Sequence, residues 1–351
     1  MGIEWKQTSG GIEVAIAATA AQFVDALRPS NLHWWEDACC PWVFRGHARE
    51  EWQLLPSAWR PENAIMKNST IEASRRFGAV LPAQSLSWFW QPNFWSGPAV
   101  FGANDNELAR QLTIATTAEY LPVWDFAARC DELGMPVPLS GPGPDPAQDT
   151  DWLADAASPL IGDELLRFSD LPAALALAQH HQIPTRLLDW TRNPMAAAFF
   201  AVESLREPEA GANLVVWALH KGHAKGVAAE GVSFHNAPTG SPRFDPMIAV
   251  VGPSTRDNPF LAAQAGLFTT ISRSGIYFMK SGGKRPGLEE FVAQASPSSL
   301  VLRKLVLAHE HSADLIQILS RENVSRSALM PTMDNVAEDV RRKWSQQSLV
   351  V

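Results

Sequence analysis

The stretch HHQIPTRLLDWTRNP, residues 180–194, places two histidines, two arginines and an aspartate directly ahead of the apolar run 195–202. Polar groups beside such a run are costly to bury unless each has a partner. The pattern predicts a short strand that ends in a polar turn with a buried helix behind it, a geometry in which α/β proteins present a site. The structural alternative is a buried ion pair between an arginine and Asp189 that fastens the strand to the helix.

Segments on either side of this stretch have the length and β-branching of strands or the periodicity of helices. Strands are predicted at 42–46, 213–219, 246–251, 266–271 and 299–307, and helices within 11–40, 62–135, 171–181, 312–323 and 334–347. This order predicts an α+β fold: a single mixed domain with a modest, mainly antiparallel sheet, flanking helices and an inserted helical lobe.

The predicted boundaries divide the chain into an N-terminal helical segment, residues 1–40, and a main domain, residues 41–347. Residues 62–165 form the helical insertion. Within it, the prolines of residues 135–146 remove backbone donors and fix extended conformations, so that this stretch is predicted to be a Pro/Gly loop.

The composition narrows the possible environments and partners. The 351 residues are 46% hydrophobic and carry a net charge of -8, which argues against a general nucleic-acid coat but allows a local basic cleft. Three cysteines form no disulfide framework, and neither a signal peptide nor a run of eighteen apolar residues is apparent. We therefore expect a soluble cytoplasmic protein without a membrane partner.

Several motifs of well-known chemistry are missing from the sequence. No Walker loop, Rossmann fingerprint or Gly-x-Ser-x-Gly motif occurs, and neither His220 with His223 nor His309 with His311 has a companion cluster of ligands. We therefore expect no metal. The fourteen tryptophans are predicted to pack mainly in the core, with Trp88-Phe89-Trp90 as the best candidate for a wall on which a ligand stacks.

Four blocks of sequence together resemble the FRG domain, a family named for its Phe/Tyr-Arg-Gly motif. Phe44-Arg45-Gly46 and the segment up to Arg60 resemble its opening, and residues 180–201 resemble its long second signature. The element Asn258…Gln264…Gly266…Phe268 and the tail 329–337 resemble its later motifs. The resemblance spans roughly residues 40–345. Phe260 replaces a usual arginine, Gln182 replaces a common glycine, and the 62–165 segment is longer than the usual spacer.

The order of these motifs is similar to that of the ADP-ribosyltransferase superfamily, an analogy of layout. It implies NAD as a substrate, with Arg45 and Gly46 on a first strand at the dinucleotide and Thr191 on a strand that runs into the apolar helix. Gln264 stands where that superfamily carries a catalytic Glu or Gln. The implied site therefore consists of Arg45, Gly46, His181, Arg186, Asp189, Thr191 and Gln264.

Each candidate also has a structural alternative. The guanidinium of Arg45 suits phosphate or carboxylate, but it can equally pair with Asp189 as a strut. His181 is an acid–base candidate by its place in the family motif, or a satisfied helix cap. Arg186 and Asp189 can converge only across a turn. Thr191 can cap the following helix.

Gln264 can orient a ligand but cannot act as a general base. Glu289 and Glu290 are the possible substitutes for the missing carboxylate, or a solvated helix face.

The resemblance implies an NAD-using, ADP-ribosyltransferase-like or NAD-cleaving effector, with a bacterial toxin or phage-defence system as its setting. Its ligand would be a nucleotide, and the acceptor could be protein or nucleic acid. Two alternatives remain open: a non-catalytic module that binds or senses nucleotides or nucleic acid, and a metal-independent nuclease or phosphodiesterase that uses His181 with the arginines.

Overall fold

The computed structural model describes residues 3–78, 103–137, 171–203, 212–225, 227–228, 246–252 and 264–347. The strands are β1 (Lys6–Ser9), β2 (Ile12–Ala17), β3 (Trp42–His47), β4 (Leu188–Thr191), β5 (Asn213–His220), β6 (Met247–Val251), β7 (Gly266–Ser272) and β8 (Leu302–Ala308). The helices are α1 (Ala20–Leu27), α2 (Ala64–Gly78), α3 (Ala103–Glu132), α4 (Leu171–His180), α5 (Pro194–Glu203), α6 (Lys221–Ala224), α7 (Ser274–Lys280), α8 (Leu288–Ala295), α9 (Ser312–Arg321), α10 (Arg326–Leu329) and α11 (Met333–Gln347).

The eight strands form one sheet in the order β1-β2-β8-β5-β3-β4-β7-β6. β2 and β8 pair in parallel, and every other neighbouring pair is antiparallel. One face of the sheet packs on α1, α5 and α9, and the other packs on α7 and α8. The α+β prediction with a mainly antiparallel sheet and flanking helices is therefore confirmed.

The predicted helical character of residues 11–40 is wrong over its first part. Ile12–Ala17 is strand β2, and α1 covers only Ala20–Leu27. The β-branched residues Ile12, Val14 and Ile16 are compatible with a strand, and each of the six residues of this segment pairs with β8. The N-terminal segment thus adds strands β1 and β2 to the same sheet as the FRG-like motifs.

The described part of the predicted insertion is helical. α2 packs against α3 through a small apolar cluster that includes Met66, Ala73, Ile114 and Ala118. Most of the Pro/Gly loop and Trp88-Phe89-Trp90 lie outside the described residues, and the domain boundaries remain a prediction. None of the described helices is long and apolar enough to cross a membrane.

The guanidinium of Arg303 on β8 is surrounded by three tryptophans. The Cζ atom of Arg303 lies 5.0–5.4 Å from the ring centroids of Trp5, Trp34 and Trp42, and its Nε lies 3.0 Å from a carboxylate oxygen of Glu13. Cations over aromatic faces are attracted by the ring quadrupole. These aromatic residues therefore serve packing, as the core interpretation predicts.

Candidate functional site

A cleft of about 310 Å³ opens where β3 and β4 separate. The two strands share a single residue pair, Phe44 with Thr191, beyond which Arg45 and Gly46 pair only with β5 and Asp189 only with β7. The residues lining the cleft are Phe44, Arg45, Gly46, Ala176, Gln179, His180, Asp189, Trp190, Thr191, Ala197, Phe200, Gln264, Gly266, Leu267 and Phe268. Five of the seven predicted site residues are among them: Arg45, Gly46, Asp189, Thr191 and Gln264.

Arg45 and Asp189 bridge the two separated strands. Nη1 of Arg45 lies 2.6 Å from Oδ1 of Asp189 and donates to the Asp189 carbonyl oxygen at 2.9 Å. Only 13% of the arginine side chain is exposed, against 60% of the aspartate side chain. The predicted strut between these residues is present, and its carboxylate also faces the open cleft.

His47 fixes the other edge of the Arg45 guanidinium. Nε of Arg45 donates to Nε2 of His47 at 3.0 Å, and Nδ1 of His47 lies 3.2 Å from the Trp52 carbonyl oxygen. Nε2 is thus an acceptor and Nδ1 carries the proton, so the imidazole is neutral. Desolvation, together with the Arg45 charge, lowers the pKa of His47 to about 3. The bonds that Arg45 makes within the described part of the chain use Nε and Nη1, so we expect its Nη2 to meet a ligand.

This buried histidine predicts a pH dependence of stability. The pKa of His47 is about 3 in the folded chain and 6.5 ordinarily, so below pH 6.5 the unfolded chain binds a proton that the folded chain does not. The free energy of unfolding should therefore fall between pH 6.5 and 3, by at most about 1.4 kcal/mol per pH unit from this group. Urea unfolding at stepped pH measures the slope, and His47→Gln should flatten it. Parallel profiles for the two proteins would refute the assignment.

Asp189 has a second support on α4. Nε2 of Gln179 donates to Oδ1 of Asp189 at 3.1 Å, and the Thr185 hydroxyl donates to Oε1 of Gln179. Desolvation raises the pKa of Asp189, but the charge and hydrogen bond of Arg45 lower it by more, so that its pKa lies below the ordinary value. The carboxylate is therefore ionised at neutral pH, on the floor of a cleft that solvent still reaches.

Gly46 is required by the approach of helix α5. A Cβ atom at this position would lie 2.0 Å from the Ala197 carbonyl oxygen and 2.6 Å from the Ala201 nitrogen. Both contacts are with backbone, so any side chain must displace the helix from the sheet. The absence of a side chain at Gly46 therefore has a packing reason, while the glycine also lines the cleft.

Thr191 and Asn193 organise the start of the same helix. The Thr191 hydroxyl donates to the Gln264 carbonyl oxygen at 2.6 Å and accepts from the Asn193 nitrogen, while Oδ1 of Asn193 accepts from the Met195 nitrogen at 3.0 Å. Asn193 is thus the N-cap and Pro194 the first helical residue. Thr191 therefore binds the turn ahead of the helix and the Gln264 backbone, while Asn193 is the residue that caps the helix.

The histidine that lines the cleft is His180, whereas the sequence favoured His181. The His181 side chain is exposed outside the lining, with its ring centroid 5.7 Å from that of Phe126. Desolvation, with a contribution from His181, lowers the pKa of His180 below its ordinary value. A neutral imidazole of this kind can accept a proton inside the cleft.

Arg186 does not converge with Asp189, and the cleft lining does not include it. Its side chain is 3% exposed, and its Nε lies 2.8 Å from Oε2 of Glu119 on α3. Oε1 of the same carboxylate binds Arg285 at 2.8 Å and Nε1 of Trp59 at 3.0 Å. Arg186 therefore has a structural role, because it joins helix α3 to the segment ahead of β4.

Within the described part of the chain, one group of three potential metal ligands converges: Glu36, His220 and His223. Nδ1 of His220 accepts a hydrogen bond from the His223 nitrogen at 3.0 Å, so Nε2 carries the proton and donates to Glu36 at 2.8 Å. A metal at Nε2 would need that nitrogen unprotonated, which leaves no proton on either ring nitrogen. This geometry favours a hydrogen-bonded network over a metal centre.

Two further predicted alternatives lie outside the cleft lining. Glu289 accepts a hydrogen bond from the Leu54 nitrogen at 3.0 Å, and desolvation raises its pKa. Glu290, the other predicted substitute, accepts a hydrogen bond from Gln294 on the same helix. Neither carboxylate is therefore placed in the cleft to supply the one that is missing at Gln264.

Comparison with known families adds one finding to this geometry. The FRG domain family model matches residues 154–210. This match supports the FRG family for the chain, and it contains α5, β4 and the whole of the stretch 180–194. No curated protein and no solved structure gave a significant match.

Sequence reasoning missed three residues of the site. His47 and Gln179 hold the Arg45–Asp189 pair, and His180 rather than His181 lines the cleft. Strand alternation offered a signal for His47, because residues two apart on a strand share a face. Gln179 had no such signal, since its partner Asp189 lies beyond the end of α4.

Proposed function

We propose that the cleft between β3 and β4 binds NAD and breaks its N-glycosidic bond, as a glycohydrolase or an ADP-ribosyltransferase. The observation that carries this proposal is the position of the Asp189 carboxylate, which Arg45 and Gln179 hold in the lining of the cleft. Support from sequence is the FRG match together with the similar order of motifs in the transferase superfamily.

Cleavage of the N-glycosidic bond of NAD is favoured by a carboxylate beside the ribose. When the bond between ribose C1′ and the pyridinium nitrogen breaks, its electron pair leaves with nicotinamide and positive charge develops on C1′ and the ring oxygen. A fixed anion stabilises this oxocarbenium-like state more than the ground state, in which the positive charge sits on the pyridinium ring. Asp189 is the carboxylate in the lining, and its two partners fix it before the substrate arrives.

The remaining lining residues suit a nucleotide. Nη2 of Arg45 can donate to a pyrophosphate or ribose oxygen, and the Gln264 amide can orient a ribose. Phe200 and Phe268 provide apolar walls for a heterocycle. The volume of about 310 Å³ suits the nicotinamide–ribose half of NAD, with the rest of the dinucleotide extending outward.

His180 supplies the proton acceptor for the second half of the reaction. A water molecule, or a hydroxyl of a protein or nucleic-acid acceptor, would form its oxygen–C1′ bond while its proton passes to the neutral imidazole. Such chemistry suits a toxin or phage-defence effector, which is the setting that the resemblance implies.

A nucleotide sensor without turnover is the second candidate. It is favoured by one observation: Oδ1 of Asp189 already takes hydrogen bonds from Gln179 and Arg45, and the charges of the Arg45–Asp189 pair offset one another. The nuclease alternative has less support, because it depends on His181 and the arginines, and neither His181 nor Arg186 lines the cleft.

Nicotinamide release from NAD tests the proposal, with Arg45→Ala compared with wild type. We expect the variant to remain folded in circular dichroism and to lose most of the release, because Nη2 and the fixed position of Asp189 are both lost. Arg75→Ala on α2, outside the cleft, is the matched control and should leave release unchanged. Equal release by Arg45→Ala and wild type would refute the proposal, and calorimetric NAD binding without release by wild type would establish the sensor.

A further inference from the structure

The last helix, α11, leaves an apolar stripe exposed. Met333, Val336, Val340 and Trp344 recur at the spacing of one helix face and are 92, 51, 50 and 65% exposed. None of the residues that the structure describes covers this stripe. A helix of fifteen residues is marginally stable in water on its own, and packing of an apolar face normally supplies the missing stability.

The other side of α11 holds the helix by polar contacts to α10. Nε of Arg326 donates to Oδ1 of Asn335 at 3.0 Å, and Oδ2 of Asp339 accepts from the Ser327 nitrogen at 2.9 Å. These two bonds lie on the side of α11 that faces α10, and the stripe lies on its other side. The apolar face is therefore presented outward by a fixed support.

We propose that the stripe binds the same stripe of a second copy of this chain, with the two helices antiparallel. Charge complementarity on one flank of the stripe supports this pairing: Asp334 stands in the first half of α11 and Arg341, which also pairs with Glu338 of its own helix, stands in the second half. An antiparallel pair sets Asp334 of each copy beside Arg341 of the other.

The spacing of the stripe residues sets one register for the two helices, in which position 338 of each helix lies level with position 338 of the other. It sets Val336 beside the partner's Val340, and Met333 beside the partner's Trp344. Asp334 and Arg341 lie on the same flank of the stripe, so each faces the opposite charge of the other copy. A two-fold axis repeats every contact, as an isologous dimer requires. Parallel helices would instead place Asp334 against Asp334 and Arg341 against Arg341, which is unfavourable.

Sedimentation equilibrium of the full chain tests the dimer. We expect wild type to associate reversibly from one copy of 38.4 kDa to two, and Val340→Glu to abolish the association. Asp334→Arg and Arg341→Asp should each weaken it about 5-fold, because each removes two exposed ion pairs. The double variant carrying both changes should restore it.

Ile71→Glu is the matched control, since it changes an apolar side chain on α2 that is 68% exposed. It should leave the association constant unchanged. A wild type that stays monomeric at all concentrations would overturn the proposal, as would a dimer that survives Val340→Glu. Failure of the double variant to recover would overturn the antiparallel register. None of these outcomes depends on NAD chemistry.

Discussion

Replacing Glu119 by alanine should lower the free energy of unfolding by about 3–5 kcal/mol. This carboxylate, itself 4% exposed, binds the buried Arg186 and the partly buried Arg285 and accepts a hydrogen bond from the Trp59 indole. Its removal takes from both guanidinium groups a buried carboxylate that offsets their charge. Urea denaturation measures the loss, which is a large share of the stability of a typical domain.

Two controls separate charge from volume. Glu119→Gln keeps the size and one acceptor but not the charge, so it should recover only a minor part of the loss. Glu132→Ala, on the exposed end of the same helix, should change stability by no more than about 0.5 kcal/mol. A loss below about 1 kcal/mol for Glu119→Ala would show that solvent reaches the cluster and that α3 is not fastened by it.

Asp189→Asn should reduce the rate of nicotinamide release by about 10²- to 10³-fold. The amide preserves shape and a hydrogen-bond acceptor for Arg45, but it lacks the negative charge that would stabilise the oxocarbenium-like state. NAD affinity should change much less than the rate, because the charge is proposed to act mainly in the transition state. Steady-state release and calorimetric binding on the same preparations measure the two effects separately.

Glu289→Gln supplies the matched carboxylate control for this variant. Glu289 was the alternative acid suggested by sequence, and it lies outside the cleft lining with its hydrogen bond to Leu54. Its replacement should leave the rate of release unchanged in a folded protein. The assignment of the charge to Asp189 would fail if Glu289→Gln lost the activity and Asp189→Asn kept it.

The sequence predicted most of the central sheet because its strands carry local signals. Length and β-branching revealed β5, the aliphatic segment 299–307 revealed β8, and the polar stretch ahead of an apolar run revealed β4 and α5. β2 was missed because its alanines also suit a helix, and only pairing with β8, about 290 residues away, decides for the strand. Such long-range pairing has no local signature.

Only part of the site was predicted, because tertiary packing decides which of the candidate residues reach the cleft. Motif order brought together Arg45, Asp189 and Gln264, but it could not tell a pocket residue from a buried strut. Arg186 has a structural role because it pairs with Glu119, which lies on a helix distant in sequence. Which of His180 and His181 lines the cleft depends on the rotation of α4 at its last turn. Both outcomes depend on tertiary packing that periodicity does not encode.

The most direct test of the central claim is a proton NMR time course of NAD with a small amount of the purified wild-type chain. We expect nicotinamide and an ADP-ribose product to accumulate in equal amounts, well beyond one equivalent per chain, with water or a hydroxyl compound as the acceptor. NAD that remains intact while its resonances broaden through binding would contradict cleavage and identify the cleft as a binding site.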